Sequence, residues 1–212
     1  MKTFAELFNI ILTGNKDESR KASRDVRKLL YSSHYDKDSF RDMKSIIQNA
    51  PTEYAKIKED FRQENFVMAI SVIYYLHDRE GNPDFLFPWF LKLIGHNNGY
   101  IRYAVVRMFS NEFGPLTVHI RCPWNKSGLV RFSPEKANEI IYKLSADLNN
   151  LLIFFDKPKY KKYKYINSLP PGPYKTVQQI IADLDEHCSP EYTNEPKYAE
   201  YNQEEGIPSP FL

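Results

Sequence analysis

The chain has 212 residues, a formal net charge of +2, 42 % hydrophobic residues and 26 % charged residues. That length carries one domain with a full core, and the composition excludes a disordered chain. The near-neutral charge excludes nucleic-acid binding over the whole surface, and no run nears the roughly eighteen apolar residues of a membrane span.

The first twenty residues carry Glu6 and lack both a strongly basic start and an A-x-A site, so they do not read as a signal peptide. Phe4, Leu7, Phe8, Ile11 and Leu12 form an apolar helical stripe closed by Gly14. Asp17 and Glu18 open a second helix at its positive end, with Ala22, Val26, Leu29 and Leu30 inward and basic residues opposite. Phe40, Met43, Ile46 and Ile47 mark a third helix, expected to stop before Pro51, with a weaker one from about residue 52.

From Glu64 to His77 the chain is apolar on most sides, which predicts a central helix. Gly81 and Pro83 break it, and a helix follows from about Pro83 to Ile94 with Phe87, Phe90, Leu91 and Ile94 inward. After a turn at Gly95–Gly99, an amphipathic helix carries Ile101, Ala104, Val105, Met108 and Phe109 as far as Gly114-Pro115. Leu116, Val118, Ile120 and Cys122 then alternate with Thr117, His119 and Arg121, which predicts a long loop or small hairpin over about 114–132.

Ser133-Pro134 is a helix start, and apolar residues keep helical spacing from Ala137 to Phe155. A basic connector leads to Leu169-Pro170-Pro171-Gly172-Pro173 and a last helix burying Val177, Ile180, Ile181 and Leu184. The expected organisation is one helical domain over 1–187 and a polar, acidic, largely irregular tail over 188–212.

Phe66, Ala69, Ile70, Ile73 and Tyr74 match Ile101, Ala104, Val105, Met108 and Phe109 at an offset of 35 residues. Helix pairs of this period characterise α-solenoids. The stretch from Asp84 to Glu112 resembles a HEAT repeat: an apolar first helix (PDFLFPWFLKLIG), the turn HNNG, then YIRYAVVRMFSNE. Ile101, Arg102 and Ala104 stand where that family places a hydrophobe–Arg pair and a small residue. The family's usual turn Asp is absent, with Asn97 and Asn98 near its place. The resemblance implies an all-α, irregular α-solenoid of antiparallel helix pairs, in which Arg102 makes a structural contact between helices. A generic irregular helical bundle is the other reading of the same pattern.

Nucleotide-binding, zincin, hydrolase and EF-hand motifs are absent. His119-x-x-Cys122 with His187 and Cys188 is a poor zinc set, because adjacent side chains rarely aim at one ion, and no metal or cofactor is expected. Cys122 and Cys188 make no disulfide framework, and the cytoplasm is the expected compartment.

Charge is segregated. Residues 119–165 hold ten basic against four acidic side chains, and residues 183–212 hold eight acidic against Lys197. Lys159, Tyr160, Lys161, Lys162, Tyr163 and Lys164 interleave cations with rings, as a phosphate- and base-contacting segment does, or as a solvated connector with tyrosines packed on the preceding helix. Trp124 with Arg121, Lys126 and Arg131 is a second candidate contact, since Trp and Arg anchor interfaces. The helix face with Arg102 and Arg107 is a third. The expected function is a non-enzymatic module binding a protein partner. The alternative is a nucleic-acid-binding protein, similar in architecture to HEAT-like DNA glycosylases but without a matching catalytic motif. A small-molecule enzyme using His119 or Asp147 is the weakest reading.

Overall fold

A computed structural model of the chain describes residues 2–32, 37–77, 82, 84–123, 133–161 and 172–189, and these are all-helical with no strand among them. In chain order the helices are α1 (Phe4–Thr13), α2 (Lys16–Leu30), α3 (Lys37–Lys56), α4 (Asp60–Ile73), α5 (Phe87–Ile94), α6 (Gly99–Arg121), α7 (Pro134–Phe155), α8 (Pro158–Lys161) and α9 (Pro173–His187). A 3-10 turn, Tyr74–Leu76, extends α4. No helix among the described residues is long and apolar enough to cross a membrane.

Caps fix the first two helices. The Thr3 hydroxyl accepts from Glu6 N–H at 3.1 Å while the Glu6 carboxylate accepts from Thr3 N–H at 2.8 Å. Asn15 and Glu18 repeat this exchange at the start of α2. Between them Gly14 is required by close approach: a Cβ there would lie 2.8 Å from the Ile10 carbonyl oxygen.

Two expected breaks are absent. The helix predicted to stop before Pro51 continues through it to Lys56. Met43, Ile47, Ala50, Tyr54 and Ile57 alternate steps of four and three and are all buried. Only an unbroken helix keeps the first four on one side, and Ile57 follows directly after its last residue. A proline inside a helix costs about 3 kcal/mol. Burying Met43 and Ile47 alone offsets that, at about 1.5–3 kcal/mol each.

The hairpin expected from residue 114 is likewise overturned as far as Arg121, because α6 runs on through Pro115. The buried set there is Phe113, Leu116 and Thr117, a helical and not an alternating spacing. Local side chains serve the carbonyls around the proline. The Thr117 hydroxyl donates to Phe113 O at 2.7 Å, and the Arg121 guanidinium donates to Gly114 O at 3.0 Å. Residues 124–132, the rest of the expected loop, lie outside the described residues, as does the tail from residue 190.

The helices pack in two sets. α1 packs on α2, α3 on α4, α5 on α6 and α7 on α9, while α2, α4, α6 and α9 each touch the next in turn. The central helix is α4, with Phe66, Val67, Ala69, Ile70 and Ile73 buried. Its matched segment in α6 lies against it: Ala69 and Ala104 are both fully buried, and the Tyr74 hydroxyl donates to Met108 O at 2.6 Å. Phe90 of α5 fills the joint, edge-on to Tyr74 at 5.8 Å and to Phe109 at 5.3 Å.

Polar ties hold the first turns of α2, α4 and α6 to one edge. Arg62 donates to Gly14 O at 3.0 Å, and Asn98 donates to the Glu64 carboxylate at 2.7 Å. Arg102 is buried and donates to the turn carbonyls of His96, at 2.5 Å, and Asn97, at 3.0 Å. It thereby staples α6 to the turn that precedes it.

Candidate functional site

The residues singled out from sequence have diverse placements. Trp124, Lys126, Arg131, Lys162, Tyr163 and Lys164 lie outside the described residues. Arg121 folds back along its own helix, donating to Gly114 O and, at 3.1 Å, to the Thr117 hydroxyl. The basic connector contains the short helix α8, which ends at Lys161. Tyr160 packs its ring edge-on to buried Phe155 at 4.8 Å, and the Lys159 ammonium sits 4.5 Å from the centre of the Tyr160 ring. Tyr160 therefore closes the end of α7 and does not project as a free stacking surface. His119 is 2.9 Å from Asn138, and His187 is 2.8 Å from the Asp183 carbonyl one turn before it.

A different set of residues converges across α2, α4, α6 and α9. On α2 the buried positions Ala22, Val26, Leu29 and Leu30 leave Arg20, Arg24, Arg27 and Tyr31 as an exposed stripe at helical spacing. That stripe borders α4, because Ser23, one turn before Arg27, donates to Asn65 O at 2.9 Å. On α6 the outward positions at the same spacing are Tyr100, Tyr103 and Arg107. Arg107 reaches back to α4, where its guanidinium donates to the Ser71 hydroxyl. One turn further along α6, the Ser110 hydroxyl donates to the Asp183 carboxylate of α9. Arg107 and Ser110 thus bridge three neighbouring helices.

The electrostatics of this face are uneven. α2 carries six basic residues against three acidic ones. Among the described residues, none of Arg20, Arg24, Arg27 and Arg107 has a carboxylate within ion-pair distance. Burial lowers the proton affinity of the Arg107 guanidinium, and the Arg27 charge lowers it further, while Tyr103, Tyr74 and Tyr31 act the other way. An arginine so far from neutral pH stays charged, so the cost falls on its solvation and not on its protonation. The face runs from an arginine-rich margin on α2 to the Asp183 carboxylate on α9.

Comparison finds no matching family model, no similar curated protein and no similar solved structure. The face is therefore read from its own chemistry. The basic side of α2 and Arg107 are each legible in the sequence, but no local pattern joins them. The signal available was the spacing of Arg20, Arg24, Arg27 and Tyr31, which places them in one stripe. Ser71 and Asp183 carried no signal, since their role depends on which helices are neighbours.

Proposed function

We propose that this chain is a non-enzymatic interaction module built as a HEAT-like stack. The pairs would be α1/α2, α3/α4, α5/α6 and α7/α9, with the second helix of each pair lining one broad face. The order of helix contacts and the burial of both matched segments support that reading. Fold alone gives no function, so the assignment rests on the face itself.

The observation that carries it is four arginines with no carboxylate at ion-pair distance among the described residues, Arg20, Arg24, Arg27 and Arg107, on the surface that also exposes Tyr31, Tyr100 and Tyr103. Cations gathered without counter-charges make a field that a polyanion neutralises. The partner is accordingly a macromolecule with closely spaced negative charge. The α2–α4–α6–α9 face, and not the 119–165 segment, is its principal contact.

Retention on a heparin column tests this. The double variant R20E/R24E changes two exposed side chains and is expected to elute at markedly lower salt than the parent. The variant K136E/K143E, also exposed but on α7, is expected to elute close to the parent. Equal losses from both pairs would show diffuse charge attraction and contradict the assignment of the face.

A further inference from the structure

Among the described residues, the Arg107 guanidinium donates to one neighbour. It donates to the Ser71 hydroxyl, and its Nε is shielded from solvent with no hydrogen-bond partner among the described residues. A guanidinium has five donors in a rigid fork suited to the oxygens of a phosphate or carboxylate. Compare Arg102 on the same helix, whose fork is turned onto the His96 and Asn97 carbonyls. Arg27 stands one turn beyond Ser23, which is tied to Asn65 of α4, and Arg107 is tied to Ser71 further along the same helix, so both cations border α4. Like charges held together without an anion repel, and an anion between them relieves the repulsion.

Rings accompany the two cations. Tyr31 is 74 % exposed and follows Arg27 by one turn, and Tyr103 is 41 % exposed and precedes Arg107 by one turn. An acidic peptide would use the guanidinium groups but gain little from two exposed rings. A duplex would offer phosphates while keeping its bases stacked inside. A single strand offers both a phosphate and free base faces.

We propose that Arg27 and Arg107 together grip a backbone phosphate of a single-stranded nucleic acid, with Tyr31 and Tyr103 as platforms for the adjacent bases. This rests on the reading of the α2–α4–α6–α9 face as a polyanion-binding surface and narrows it to one class of partner. Ser71 acts as a positioning residue, holding the Arg107 fork against α4, the helix that lies between α2 and α6. Tyr100, 60 % exposed and one turn before Tyr103, extends the track along α6.

Fluorescence anisotropy with the full chain tests the proposal, using a labelled oligothymidylate of about fifteen nucleotides, a duplex of equal length and a polyglutamate peptide. The single strand is expected to bind best. Arg27→Ala should weaken it about tenfold and flatten the dependence of log affinity on log salt by about 0.7 per lost phosphate contact. Tyr31→Ala should weaken it about tenfold with the salt slope kept, and Tyr31→Phe should restore affinity. Both positions are exposed, so folding is not at stake; Arg107→Lys, which keeps the charge but loses the fork, is expected to weaken binding too. Duplex binding as tight as the strand would overturn the stacking role. Polyglutamate binding without DNA binding would overturn this inference while leaving the polyanion reading intact. Binding of none of the three would overturn both.

Discussion

His96 shows how one side chain in the α5–α6 turn couples stability to pH. Its Nδ1 accepts from Asn98 N–H at 3.0 Å, which leaves the proton on Nε2, 3.2 Å from the Gln63 amide oxygen. Charging the ring would turn Nδ1 into a donor facing a donor. Burial lowers its pKa from 6.5, Arg102 lowers it further, and Asp60 opposes them. The folded state therefore binds fewer protons than the unfolded state below pH 6.5. Stability from this group is complete above that value and falls as pH drops toward the depressed folded pKa. Urea unfolding across about pH 7 to about pH 5 should show that decline, and His96→Asn should flatten it. An equally steep decline in the variant would assign the effect elsewhere. Arg102 and Arg107 make the complementary point at this scale. They lie on one helix, yet one spends its fork on backbone carbonyls and the other donates to the Ser71 hydroxyl of a neighbouring helix.

At the scale of the element, proline is the source of two misread boundaries. Pro51 and Pro115 each remove one N–H from a helix interior. Local rules end a helix at such residues, and the burial of Met43, Ile47, Tyr54 and of Phe113, Leu116 overrides them. Leu116, Val118 and Ile120 alternate with polar residues, but Thr117 is buried and Val118 only partly so, which a strand facing one way would not allow. Where sequence signals agreed with the packing, they were legible. Ser133-Pro134 opens α7, the apolar stretch after Glu64 is the buried α4, and the Ala-bearing matched segments meet at α4 and α6. Pro51→Ala is expected to raise the unfolding free energy by about 2 kcal/mol, from about 3 kcal/mol of helix preference less about 1 kcal/mol of unfolded-chain rigidity. Equilibrium urea unfolding checks it, and a loss of stability would mean that α3 is not continuous at that point.

At the scale of the whole molecule, the candidate face is made by adjacency. Arg27, Ser71, Arg107 and Asp183 come from four helices spread over more than 150 residues of sequence. No local pattern links them, because the link is the packing of α2, α4, α6 and α9 in series. The lysine–tyrosine segment drew attention in the sequence because its residues are contiguous, yet in the fold Tyr160 serves to close the end of α7. Contiguity is easy to read and convergence is not, since convergence requires the register of helices on one another. The central claim is that the partner lies across α2 and α6. Photo-crosslinking with a 4-thiothymidine-bearing single strand, followed by peptide mass spectrometry, locates the contact directly. Adducts are predicted at Tyr31 and Tyr103; adducts confined to the segment from Lys157 to Tyr165, or no adducts at all, would contradict the account.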